Sequence, residues 1–500
     1  MNETGRILCK KYFSEESFVK SDIESFNNFI DYGLQEIIDE NKTIEPTIIP
    51  NNVESYKIKL NKIKIDMPQL IEADGSTRPV YPWEARLRKI TYAAAMNLSM
   101  SVIIDGVQRE EFNAYIGNMP IMLKSKYCHL SKMSRDELIE HGEDPDDPGG
   151  YFIINGSEKV LVKVEDLAPN IFMVTKSESG PSPYTGKIFS ESAAFRIPHT
   201  IEKMKDGIFY LTFTRMRRVP VVLVIKALGL VRDQDIMKSI SEDVQYDDVL
   251  VNLYQFAEIT TPEDAMDYLA KKTGITQPRE VRLQRIEEIL DRFLLPHIGT
   301  TKQSRLAKAQ NLCKMIKKFQ MVSLGEIPAD DKDHYANKRI KMSGDLLADL
   351  FRVNFNMLIK DMLYNFQRIV KRGKFPSLRV VIRDKLLTHR IYSSMATGSW
   401  VGNRKGISQR IQHLNYLETM SHLQRVVSPL SATQENFEAR ALHPTHLGRL
   451  CPIETPEGTN IGLKKNLALL ASISQSAGEE ELLKVLKEFG AKEQKLTYSQ

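Results

Sequence analysis

Residues 442–463, LHPTHLGRLCPIETPEGTNIGL, are the most informative stretch of the 500-residue chain. They show neither the 3.6-residue apolar period of a helix nor the alternation of a half-buried strand. Pro444, Pro452 and Pro456 fix φ and lower the entropy lost in ordering an irregular loop. Gly448, Gly458 and Gly462 allow backbone conformations and close approaches that a Cβ forbids. The stretch reads as a stiff connection able to hold polar groups in position. His443, His446 and Cys451 are zinc-ligand types, but they are only three, and Pro444 and Pro452 stiffen the chain between them, so they make a weak case for a metal.

Working outward, a long helix is expected at 406–426, followed by a polar loop at 428–439. Apolar spacing predicts one long amphipathic helix over 345–371, ended by Gly373 and Pro376, and a second near 379–393. Residues 14–40 also read as helical. Alternation in 55–72 predicts a strand, 83–100 look helix-like, and 101–127 read as short strands with turns at Asp105-Gly106 and Gly117. Residues 151–162 read as two strands about an Asn155-Gly156 turn. The segment HGEDPDDPGG, 141–150, misses the calcium-loop spacing and reads as a solvated acidic turn. From 164 to 230 the pattern is β-rich, with an apolar strand near 219–225. From 233 to 325 it is helical, and the shift suggests a separate domain. A short charged helix is expected at 479–489.

Composition is that of a globular protein, with 42% hydrophobic and 27% charged residues. The overall charge, 69 − 64 = +5, identifies no partner. Its distribution says more: 360–410 hold twelve Lys/Arg against Asp361 and Asp384. Such a stretch can neutralise phosphates, face solvent, or pair with neighbouring chains. Cys9, Cys128, Cys313 and Cys451 form no CxxC pair, which suits a reducing cytoplasm. The N-terminus lacks an apolar signal core, and the longest apolar run, 219–231, is too short for a bilayer and is broken by Pro220 and Lys226. A cytoplasmic protein without membrane association is expected.

Several segments in one order resemble the second-largest, β-type subunit of cellular DNA-dependent RNA polymerases, most closely its archaeal and eukaryotic form. The quoted stretch resembles that family's fork. Ile407-Ser408-Gln409 and SHLQR at 421–425 match the same region. DKDHYANKR at 331–339 resembles the lobe–protrusion junction, and WEARLR at 83–88, PIMLKSK at 120–126 and GGYFIINGSEKVL at 149–161 resemble the protrusion. Three positions depart from the pattern: Leu447 where an aromatic is usual, Thr459 where Pro is frequent, and Gln424 where Arg is common.

The resemblance implies a mixed α/β (α+β), multidomain fold. It would comprise protrusion (14–164), lobe (165–345), second protrusion part (346–396), fork (397–475) and a tail helix (476–500). It implies the N-terminal half of a subunit that some archaea split in two, forming one wall of the DNA cleft. The partners implied are the separate C-terminal half, the largest-subunit pieces, the other polymerase subunits, template DNA and the RNA–DNA hybrid. Arg404, Lys405, Gln409, His422, Arg425 and Arg440 are the expected nucleic-acid contacts, directed at phosphate and sugar because the enzyme moves along any sequence. Loop 428–439 would lie near the downstream edge of the bubble, and Arg449, Glu454 and Glu457 would support the active centre.

RNA synthesis joins a 3′-hydroxyl to the α-phosphate of a ribonucleoside triphosphate with two metal ions. The resemblance places Mg2+ on carboxylates of the largest subunit, so no catalytic residue and no metal is expected in this chain. Asp330-Asp331-Lys332-Asp333, which could attract magnesium, reads instead as a charge network. Two readings of other classes remain open at this level: a stand-alone nucleic-acid-binding protein, and a self-sufficient metal-dependent nucleotidyltransferase.

Overall fold

The computed structural model describes residues 3–14, 17–50, 53–72, 74–177, 180–193, 195–241, 246–374, 377–474 and 479–491. Pro376, and residues 476–478 and 492–500 of the expected tail, thus lie outside the described residues. The chain divides into two compact units. One comprises 1–164, 340–432 and 446–500, and the other 165–339 and 433–445.

In the first unit an antiparallel sheet runs in the order Thr43–Ile44, Tyr56–Ile65, Ala93–Ile104, Val107–Pro120. The last two strands form a long hairpin whose turn uses Asp105 and Gly106, at φ +52° and +79°. The helix Ser343–Val370 turns Leu346, Leu350, Phe351, Phe355, Leu358, Met362 and Phe366 into the core. That is the i, i+3/i+4 stripe expected of an amphipathic helix. Helices Ser17–Asn28 and Asp384–Thr397 pack on it. Trp400 Nε1 donates to the Leu346 carbonyl at 2.8 Å, fixing the chain that follows to the start of the long helix.

The second unit opens with a five-stranded antiparallel meander, Met173–Lys176, Tyr184–Ser192, Phe195–Lys203, Phe209–Phe213 and Met216–Pro220. Six α-helices between Val221 and Ser323 follow it among the described residues. Their apolar faces and the sheet share one core. His199 is fully buried there: Leu295 N–H donates to its Nε2 at 3.1 Å, and its Nδ1 lies 3.0 Å from the Ile197 carbonyl.

Five expectations differ from the structure. Within 101–127, Gly117 lies inside the single long strand Val107–Pro120, at an irregularity of the pairing, rather than at a turn between short strands. Residues 83–100 are helical only at Pro82–Leu87; Ala93–Ile104 is a strand, despite its Ala, Met and Leu, because pairing on both edges outweighs intrinsic propensity. The apolar run after Pro220 is the helix Val221–Ala227, every residue of it buried, where periodicity cannot separate helix from strand. The 406–426 segment is a short strand, Ser408–Arg410, then the helix Tyr416–Leu423, started by Asn415, whose side chain accepts from Glu418 N–H at 2.8 Å. In the acidic turn, Glu143 is buried rather than solvated, because Arg86 donates to it at 2.8 Å while also donating to Glu158 at 2.6 Å.

Candidate functional site

All but one of the residues expected to meet nucleic acid are carried by a short run of elements in the first unit. Helix Asp384–Thr397 ends at Gly398, φ +75°, whose N–H bonds back to the Ser394 carbonyl. A Cβ at Gly398 would stand 2.6 Å from the Ser408 carbonyl oxygen, so only glycine lets the chain double back here. Between these points lie Arg404, half-buried, and Lys405, exposed. Strand Ser408–Arg410 then pairs antiparallel with Lys159–Leu161, setting Gln409 opposite Val160.

Gln409 and His422 form a directed pair. Gln412 N–H donates to His422 Nδ1 at 3.3 Å, so that nitrogen carries no proton. His422 Nε2–H donates to Gln409 Oε1 at 3.2 Å, and Gln409 Nε2 donates to the Gly406 carbonyl at 2.9 Å. Burial, reinforced by the cations Arg425 and Lys464, pushes the His422 imidazole down to about 4, so it is neutral at ordinary pH. His422 is 2% exposed. Its ring is a support that orients Gln409, rather than a group offered at the surface as the sequence led us to expect.

Arg425 opens the strand Arg425–Val427, between Lys163–Val164 in parallel and Lys464–Asn466 in antiparallel. Its Nη2 lies 3.4 Å from Glu418 Oε1. The quoted Pro/Gly stretch is fastened to this sheet. Cys451 N–H donates to the Asn466 carbonyl, and Ala468 N–H to the Arg449 carbonyl. Thr455 ties off the bend between them: its Oγ1 donates to the Lys464 carbonyl at 3.0 Å and accepts from Gly462 N–H at 2.9 Å. Gly448, Gly458 and Gly462 all have positive φ, as their presence in a tight irregular loop implies. Glu454 is held by Ser421 Oγ and, at 3.0 Å, by Asn466 Nδ2. The side chains of Arg449 and Glu457 are exposed. Arg440 belongs to the second unit, where its Nη2 donates to the Gln434 carbonyl at 3.2 Å.

Sequence reasoning missed the buried anchor of this region. Lys163, 1% exposed, donates to the Leu423 carbonyl at 2.7 Å and pairs with Asp22. Burial pushes the Asp22 carboxyl up, against the opposing pull of Lys163. A signal was present: Asp22 sits between Phe18 and Phe26 at i+4 spacing, an acid on an apolar stripe.

In the second unit, each carboxylate of the 330–333 run is engaged. Asp330 accepts from Val174 N–H at 2.7 Å and pairs with Lys318 at 2.8 Å; Asp331 meets His443 at 2.9 Å; Asp333 meets Lys338 at 3.2 Å. Among the described residues no group of three or more His, Cys, Asp or Glu converges as metal ligands would. No helix among them is long and apolar enough to cross a membrane.

The RNA polymerase beta subunit family matches residues 17–389, and a second family, RNA polymerase Rpb2, domain 3, matches 409–473. The DNA-directed RNA polymerase subunit Rpo2N of Methanocaldococcus jannaschii is 44% identical over 494 residues, covering 97% of this chain and 98% of that one. The chain belongs to the RNA polymerase beta subunit family. Within that family it is also 43% identical to subunit Rpo2 of Saccharolobus solfataricus, covering 98% of this chain but only 43% of that longer protein. Subunit Rpo2N of Halobacterium salinarum is 40% identical over 97% of this chain and 95% of its own. The beta-type relatives therefore come in two lengths, and this chain spans nearly all of the shorter ones and less than half of the longer.

Proposed function

We propose that this chain is the N-terminal half of the second-largest subunit of a DNA-directed RNA polymerase, and that it lines one wall of the DNA cleft. The carrying observation is the 44% identity to a polymerase subunit along nearly the whole of both chains. Bond making would belong to the assembled enzyme. Mg2+, held by carboxylates of the largest subunit, would stabilise the attacking and leaving oxygens, while this chain binds and orients.

The geometry suits that division of labour. Arg404, Lys405 and Arg425 supply cations for phosphate, and Gln409, aimed by His422, supplies a neutral donor. The loop closed by Thr455 holds Arg449, Glu454 and Glu457 on a stiff support. Arg440 and loop 428–439 are assigned to the downstream edge. Contacts of this kind read backbone rather than base, as a sequence-tolerant enzyme requires. The domain limits of protrusion, lobe, fork and tail helix belong to the same reading.

Leu447, Ile453 and Leu470 are 81%, 84% and 77% exposed, more apolar surface than a free chain usually leaves bare in one segment. The separately made C-terminal half is the partner proposed to cover it. Co-expression tests the whole reading. The chain should co-purify in stoichiometric amount with that half and the largest-subunit pieces, and RNA synthesis on a DNA–RNA scaffold should require it. The purified chain alone with Mg2+ should be inactive. A chain that assembles with no polymerase subunit, or that polymerises by itself, would overturn the proposal.

A further inference from the structure

Helix Asp384–Thr397 buries Leu387, Ile391 and Met395 and turns its other side outward. That outer side borders a groove of about 490 Å3, lined by Arg383, Lys385, His389, Arg390, Ser393 and Ser394, with Asn354 of the long helix on the opposite bank. None of the described residues lining it is acidic. Lys385, His389 and Ser393 fall at i, i+4, i+8, and Leu386, Arg390 and Ser394 repeat that spacing one position on. Each of these neighbouring rows therefore carries a basic side chain before the hydroxyl at its end.

Arg383 is partly neutralised, with its Nε 3.4 Å from Asp361 and its Nη2 3.3 Å from Asn365 Oδ1. Lys385, His389 and Arg390 are exposed and have no carboxylate within ion-pair distance among the described residues. The two fixed cations among them, Lys385 and Arg390, repel one another, and a groove lining that keeps them together without an acid gains from an anion that bridges them. Two hydroxyls beside the cations add the donors that phosphate oxygens accept. The groove is open along the helix, the shape for an extended polyanion rather than for a small enclosed ligand.

We infer that the groove along helix Asp384–Thr397 binds the sugar–phosphate backbone of a nucleic-acid strand through Lys385, His389 and Arg390, with Ser393 and Ser394 as hydroxyl donors. The inference rests on the polymerase reading above and adds a contact separate from the fork residues.

The test uses the assembled polymerase carrying Lys385→Ala and Arg390→Ala together. RNA synthesis on a scaffold at low salt should be retained, because neither residue belongs to the fork. Each lost phosphate contact removes about 0.9 from the slope of log affinity against log salt, so the slope for nucleic-acid release should become shallower by roughly 2. An unchanged slope with intact subunit composition overturns the inference. So does loss of a subunit from the variant, which would give the groove to a protein. Failure of the broader reading looks different, since the unmodified assembly would then be inactive at low salt. A photoreactive group on Ser393→Cys, compared with the parent chain because Cys9 is exposed, separates the sources. Label on DNA or on RNA names the strand, and label on neither counts against the groove.

Discussion

Lys163 Nζ lies 2.5 Å from Asp22 Oδ2, with both side chains almost wholly withdrawn from water. The same ammonium also bonds the carbonyl of Leu423, the last residue of the helix that carries His422. One buried cation thus joins the helix Ser17–Asn28, the start of the strand Lys163–Leu167 and the end of helix Tyr416–Leu423. A fully buried pair is a poor source of net stability, yet removing one member strands a charge. Lys163→Met should therefore lower stability of the full chain by about 3–5 kcal/mol in urea titration, whereas Asp22→Leu with Lys163→Met should recover most of it. Equal losses in the single and double variants would show that the pair is not the source.

Acid should weaken both units. The buried rings of His199 and His422 are each pushed down to about 4, below the ordinary value near 6.5. As pH falls, the unfolded chain takes up these protons first. Stability contributed by each ring is therefore complete above 6.5 and is lost progressively from there down to about 4. At full burial one such shift corresponds to roughly 3 kcal/mol, and less is expected at His422, which lies nearer solvent. Urea midpoints between pH 7 and 4.5 check this. His199→Gln and His422→Gln should flatten the profile, and a profile identical to the parent's would refute the assignment.

Gly398 and Gly402 share a left-handed φ, +75° and +77°, but only Gly398 has a carbonyl where a Cβ would go. Gly402→Ala should lose only the backbone preference, about 1 kcal/mol. Gly398→Ala should lose more and should also displace strand Ser408–Arg410. Thermal unfolding ranks the two, and equal losses would mean that the Ser408 carbonyl yields freely.

Arg404→Ala or Arg425→Ala in the reconstituted polymerase should make its elongation complex release nucleic acid at lower salt, with the salt slope reduced by about 0.9 per phosphate lost. Unchanged salt resistance in both would remove these residues from the interface.

Where residue patterning decides structure, the sequence was informative. The stripe from Leu346 to Phe366 forecast the long helix, and Asn155-Gly156, at φ +51° and +77°, forecast its hairpin. Where pairing partners decide, it was not. Ala93–Ile104 became a strand through neighbours distant in sequence, and Val221–Ala227 became a helix because helices Pro262–Lys272 and Arg305–Ser323 pack on it. The fork was legible as a stiff loop from its Pro and Gly. The part His422 plays within it was not, because a histidine's surroundings, rather than its spacing, decide whether it meets solvent. Asp22 and Lys163 lie 141 positions apart, and no local pattern links them.

The proton on His422 Nε2 has one further effect. It fixes which end of the Gln409 amide points inward, so the outward end is always the NH2 group. An uncharged donor fixed in this way answers neither to ionic strength nor, while the His422 ring stays neutral, to acidity. The hold on a strand would then have two components, an ionic one that counterions can loosen and a dipolar one, at Gln409, that they leave untouched.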